Sequence, residues 1–112
     1  MKQLLRAILS ELDERRPAML ATIIGRSGSA PRGAGTAMAV LQNGEMTGTV
    51  GGGTVEYRAK LDALALMQKH ACDVREYEIR ADEKGVRSGS VRILFRSFDG
   101  ETGRALVRQI LD

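Results

Sequence analysis

Gly51-Gly52-Gly53-Thr54-Val55-Glu56 restricts the fold of this chain most, because it follows an apolar run and opens directly into an amphipathic helical pattern. Glycines lack Cβ atoms, so they take positive φ and let another group approach the main chain closely. The first turn of a helix leaves N–H donors without internal partners, and the helix dipole favours an anion there. Just upstream lies Gly25-Arg26-Ser27-Gly28-Ser29-Ala30-Pro31-Arg32-Gly33-Ala34-Gly35, rich in small residues, with two arginines and no acid. The two stretches read as walls of one site. A plainer reading stands beside this one, since glycine runs at strand ends are often only tight turns.

The chain has 112 residues, the size of one ordinary domain with a single core. Its 43% hydrophobic and 28% charged residues are those of a soluble globular protein. Apolar runs are far shorter than the roughly 18 to 20 residues of a membrane span. The amino terminus breaks into charge at Lys2, Arg6 and Glu11, unlike a signal peptide. A cytoplasmic, membrane-free protein is therefore expected. The single Cys72 forms no intrachain disulfide, and no Cys/His cluster has zinc-like spacing, which argues against a structural metal. A net charge of +3, scattered basic residues and only two Tyr, two Phe and no Trp argue against a nucleic-acid partner.

Periodicity predicts a helix over Lys2–Arg15 with Leu5, Ile8, Leu9 and Leu12 on one face, stopped near Pro17. Ala18–Ile24 reads as a strand buried on both faces, and Gly25–Gly35 as a loop. Thr36–Leu41 and Glu45–Val50 read as a hairpin turned by Asn43-Gly44. After the glycines, a helix over Val55–Ala71 is expected to bury Tyr57, Leu61, Leu64, Gln68 and Ala71. Val74–Arg80 and Val91–Phe98 alternate as half-buried strands around a polar loop over Ala81–Ser90, and Asp99 is placed to cap a short final helix. The order predicts an α+β single domain with a mixed sheet of about five strands covered by helices.

Among polar candidates, Arg32, and less so Arg26, suit a phosphate, with Ser27 and Ser29 hydroxyls nearby. Glu56 sits in the first helical turn, where capping a free N–H is its expected role and a ligand contact the alternative. Thr54 is, by position, the expected N-cap. His70 reads as a surface residue at a helix end, Cys72 as a buried or half-buried structural thiol, and Asp82, Glu83 and Lys84 as a solvated loop cluster. One histidine and no Ser/His/acid arrangement favour binding over catalysis.

The order Ala21-Thr22-Ile23-Ile24, Gly28-Ser29-Ala30-Pro31-Arg32, Gly35, Met38, then Gly48 to Glu56 resembles the amino-terminal domain of the XdhC/CoxI family, from about Leu4 to about Phe98. The resemblance implies an accessory protein that binds molybdenum cofactor and helps load it into a xanthine dehydrogenase-like molybdenum hydroxylase. It implies cofactor-binding positions at Gly28, Ser29, Arg32, Gly33, Gly35, Gly51, Gly52, Gly53, Thr54 and Glu56. Family members usually add a carboxy-terminal Rossmann-like domain, and this chain ends before one. A separate Rossmann-like subunit or a homodimer is therefore an expected partner. The family pattern commonly has cysteine where Thr54 stands and another before a later glycine pair, where this chain has Ser88-Gly89-Ser90. Two readings remain open beside this one: an enzyme acting on a nucleotide or other phosphorylated metabolite, and a protein-interaction domain that has lost cofactor handling.

Overall fold

The computed structural model describes residues 1–28, 33–80 and 87–112, without the side chains of Arg80 and Arg87. Helix α1 (Lys2–Asp13) precedes strands β1 (Ala18–Gly28), β2 (Ala37–Leu41) and β3 (Met46–Gly48). Helix α2 (Gly53–Gln68), strands β4 (Asp73–Arg80) and β5 (Arg87–Phe98), and helix α3 (Gly100–Leu111) follow. The five strands form one sheet in the order β3-β2-β1-β5-β4, and every ladder is antiparallel. The expected α+β domain of about five strands under helices is the observed one, its sheet antiparallel throughout where a mixed one was expected.

Alternation along β1 explains the layers, because successive side chains of a strand point to opposite faces. Met19, Ala21 and Ile23 join Met38, Val40, Ile93, Phe95 and Tyr77 in the core beneath α2. Ala18 and Leu20 face the other way, into a second core with Leu4, Leu5, Ile8 and Leu12 of α1, Phe98 of β5 and Val107 of α3. A strand covered on both sides is apolar on both, which is why Ala18–Ala21 carries no polar side chain, whereas Ile24 is already 45% exposed. The ends of α1 and α3 are joined by Arg104, whose Nε donates to Asp13 at 2.6 Å. That guanidinium holds the Asp13 carboxyl below its ordinary value.

The Asn43-Gly44 hairpin forms as expected. Leu41 N donates to Glu45 O at 2.9 Å, Glu45 N donates to the Asn43 side chain at 2.9 Å, and Gly44 takes φ +90°. Other expectations need correction. Strand β1 does not end at Ile24: after a bulge there it continues to Gly28, because β5 begins at Arg87 and gives it a partner. Residues 87–90 are accordingly strand, while residues 81–86, including Asp82, Glu83 and Lys84, lie outside the described residues. Helix α2 buries Ala59, Ala63, Leu66 and Met67, whereas Tyr57 and Leu61 are 60% and 47% exposed. Apolar residues surround this helix on every side, so periodicity does not select a face; the small Ala59 and Ala63 do, by allowing close approach to the sheet.

Asp99 precedes α3 but makes no capping bond; its carboxylate pairs instead with Nδ1 of the exposed His70 at 2.5 Å. Cys72 is exposed rather than buried, and its sulfur accepts the Ser97 amide at 3.4 Å. No described helix is long and apolar enough to cross a membrane.

Gly48 closes β3 with φ +85°, and a Cβ there would lie 2.6 Å from the Ala37 carbonyl oxygen and 3.0 Å from Leu4 Cδ2. Gly48→Ala therefore adds left-handed strain and a backbone clash, and should lower stability by about 2 kcal/mol or more in urea unfolding. Gly33→Ala, whose nearest contact would be Arg26 Nε at 3.9 Å, should stay close to the parent.

Candidate functional site

The glycine run turns the chain from β3 into α2 through three consecutive positive φ values, 126° at Gly51, 77° at Gly52 and 61° at Gly53. Nothing lies within 4 Å of where a Cβ would sit at Gly52 or Gly53, so backbone conformation, not crowding, requires glycine there. Helix α2 starts at Gly53 with Gly52 as the residue before it, which places Thr54 inside the first turn. The expectation that Thr54 caps the helix is thereby corrected: the left-handed glycine turn starts the helix two positions early.

Glu56 takes over the capping. Its Oε1 accepts from Thr49 Oγ1 at 2.5 Å, Val50 N at 3.1 Å and Gly52 N at 3.3 Å, while Gly51 N donates to Thr49 Oγ1 at 3.0 Å. A first-turn carboxylate is thus held by the amides and dipole that would attract a foreign anion. Three of the amides in the glycine segment are spent inside the protein. Those of Gly53, Thr54 and Val55 have no acceptor among the described residues and open outward.

They open beside a cavity of about 280 Å3 lined by Val50 to Val55, Arg58, Glu78, Ile79 and Val91. Val50, Val55, Ile79 and Val91 supply an apolar floor. Arg58, on the same side of α2 as Thr54 one turn earlier, supplies a positive charge at the rim. Its Cζ stands 5.6 Å from the ring centroid of Tyr77, within cation–π range. The Tyr77 ring meets Phe95 edge-on at 6.4 Å, and its hydroxyl donates to Asp62 Oδ2 at 2.5 Å. Arg75 binds the other Asp62 oxygen at 3.0 Å and Asp73 at 2.9 Å. Burial first, then the Asp62 carboxylate, hold the Tyr77 phenol well above its ordinary value.

The sequence-predicted residues divide. Gly51, Gly52, Gly53 and Thr54 line the cavity, and Glu56 clasps the turn behind it. Gly28 ends β1 opposite Gly89, where a Cβ would lie 2.3 Å from the Ser88 carbonyl oxygen; close packing of β1 on β5 accounts for that glycine. Gly35 N donates to Ile23 O at 2.8 Å, and Gly33 lies near Arg26. Ser29 and Arg32 lie outside the described residues. Arg26 and Ser27 line a separate hollow with Glu76, Ser90 and Arg92, where the Ser27 and Ser90 hydroxyls meet at 2.8 Å. Alternation along β5 puts Ser90 and Arg92 on the face opposite Val91, whereas Arg26 is the cross-strand partner of Val91 and shares its face. Sequence reading missed Arg58, Ile79 and Val91. Projecting α2 from Gly53 would have found Arg58, four residues after Thr54.

The sequence profile of the XdhC and CoxI family matches residues 11–78, more than half of the chain and inclusive of the glycine turn, Glu56 and Arg58. This chain belongs to that family. The match bears out the resemblance read from the sequence. No curated protein matches the chain. A crystal structure of a xanthine dehydrogenase from Bacillus halodurans shares its fold with a TM-score of 0.82 at 23% identity, over 99% of this chain and 34% of that one. The chain spans about a third of that protein's length, and at this identity the likeness speaks for the fold alone.

Two outcomes follow from this geometry. Glu56→Gln keeps the shape but removes the charge that three donors share, and should destabilise the domain by about 1 to 2 kcal/mol in urea unfolding without changing the m value. A phenol whose pKa is raised on folding adds stability that is complete below about pH 10 and is lost as pH climbs above it. Tyr77→Phe should cost about 1 to 2 kcal/mol at neutral pH and flatten that alkaline loss, as read from thermal unfolding between pH 7 and 11.

Proposed function

We propose that this member of the XdhC and CoxI family is an accessory protein that binds molybdenum cofactor and assists maturation of a xanthine dehydrogenase-like molybdenum hydroxylase. The observation that carries this is the family match running through the one segment where unspent amides, a cationic side chain and an apolar floor meet. The residues fit the organic part of such a cofactor. The apolar floor takes a flat ring system, and the Gly53–Val55 amides with Arg58 take a negative group. A volume of about 280 Å3 is at the low end for small-molecule sites, so part of the ligand stays outside the cavity. When bound, the cofactor's metal supplies redox chemistry to the recipient enzyme, while this chain's task is to bind and orient. Of the glycine-rich loop, Gly28, Ser29, Arg32, Gly33 and Gly35 are proposed contacts for the part of the ligand left outside the cavity.

No thiol stands at this site. Thr54 occupies the position where the family commonly has cysteine, and Cys72 lies at the other end of β4 from Ile79. Holding therefore rests on amides, charge and apolar contact rather than on a sulfur ligand. The same reading places the protein in the cytoplasm and gives it a covering partner, either a second copy or a Rossmann-like half. The exposed Ile24, Val74 and Leu94 support such a partner.

Native mass spectrometry of the protein purified from a cofactor-producing host should find a species heavier by one pterin cofactor. Bare protein alone from a host with active molybdenum hydroxylases would overturn the proposal.

A further inference from the structure

The geometry points to Arg58 as the side chain that receives the ligand's negative group, which makes it the specificity-determining residue of the cavity for phosphorylated over unphosphorylated ring compounds. This rests on the reading above that the cavity holds a phosphate-bearing pterin, and deepens it by naming the group that selects the phosphate.

The first step is where charges are already committed. The Glu56 carboxylate takes the Val50 and Gly52 amides, and Thr49 takes that of Gly51. The glycine turn that invites an anion is thus partly satisfied by the protein, and an incoming phosphate meets the Glu56 carboxylate behind the turn and Glu78 in the cavity lining. It needs a compensating cation, and Arg58 is the basic residue lining this cavity among the described residues.

The second step is why Arg58 is available. On a helix its natural acidic partner is Asp62, one turn later. Both Asp62 oxygens are engaged, one by the Tyr77 hydroxyl at 2.5 Å and the other by Arg75 at 3.0 Å. Arg58 stands instead over the Tyr77 ring, its Cζ 5.6 Å from the centroid, a contact that leaves N–H donors of the guanidinium for hydrogen bonds. Tyr77 is itself fixed by Phe95 and Asp62, so the guanidinium sits on a rigid support at the rim. A planar fork held this way suits the paired oxygens of a phosphate better than a flexible ammonium would.

Calorimetric titration with 6-hydroxymethylpterin phosphate and with unphosphorylated 6-hydroxymethylpterin, on the parent protein, Arg58→Ala and Arg58→Lys, tests this. Arg58→Ala should bind the phosphorylated probe about tenfold or more weakly, leave the unphosphorylated probe unchanged, and lose most of the salt dependence of binding. Arg58→Lys should fall in between. Equal affinity of Arg58→Ala and parent for the phosphorylated probe would overturn the assignment while leaving the cavity reading intact. So would an equal loss for both probes, since Arg58 would then shape the cavity without reading the phosphate. A parent protein that binds neither probe would remove the cavity reading itself, and the role of Arg58 with it.

Discussion

The antiparallel pairing of β1 with β5 is the constraint on which the rest depends. It runs from Ala18 opposite Phe98 to Gly28 opposite Gly89, with one bulge at Ile24. This ladder gives each helix its place: side chains of one parity form the floor for α2, and those of the other parity the floor for α1 and α3. It also carries Val91 to the level at which α2 begins, and with β4 beside it brings Ile79 there as well. The cavity floor is thus a by-product of how far β5 extends beyond the helices' main contact. Shortening the ladder at its Gly28–Gly89 end would remove that floor from under the glycine turn.

The glycine turn illustrates how one sequence motif serves two ends. Three successive positive φ values are unfavourable for residues with side chains, and the segment carries its own remedy in Glu56, whose single oxygen gathers one hydroxyl and two amides. A turn held in this way is preorganised before any ligand arrives. The same carboxylate reduces the positive potential that a helix start would otherwise present, so the site attracts anions less than its glycine content suggests. Arg58 restores that balance. Position in the first two turns of one helix, rather than a contiguous motif, joins the turn, its clasp and its cation.

Much of this was legible in the residues. Asn43-Gly44 specified the hairpin because few other dipeptides tolerate its backbone, and the unbroken apolar run Ala18–Ile24 specified a strand with two covered faces. The glycine run announced both a turn and a helix start. What the chain could not disclose locally was anything decided by a distant partner. Gly25, Ser27 and Gly28 look like loop residues, and become strand only because residues 87–92 lie alongside. The buried side of α2 was misread for a related reason: Tyr57 and Leu61 are as apolar as the residues that face the core, and only the fit of Ala59 and Ala63 against the sheet decides between them. Arg58 carried no motif, and its role emerges from Asp62 being engaged elsewhere. Of the first glycine-rich stretch, strand pairing sets Arg26 on the face of Val91 and Ser27 on the opposite one, while residues 29–32 lie outside the described residues.

A carrier and a catalyst ask different things of a site, and the proposed function asks for the former. A catalyst needs a group of tuned acidity within reach of the reacting atom. Here the polar groups lining the cavity are amides, Thr54, Arg58 and Glu78, with the Glu56 carboxylate committed to the turn, while among the described residues the one strongly shifted group, Tyr77, is held neutral and bonded to Asp62. A carrier needs enough contact to hold its cargo and an open side through which to release it. A cavity of about 280 Å3 with an apolar floor, a fixed cation and no thiol at Thr54 meets both conditions, because nothing in it would have to break a covalent or metal–sulfur bond for the ligand to leave. The proposed role of way-station thus asks of the start of α2 only the amides and the charge that it already presents.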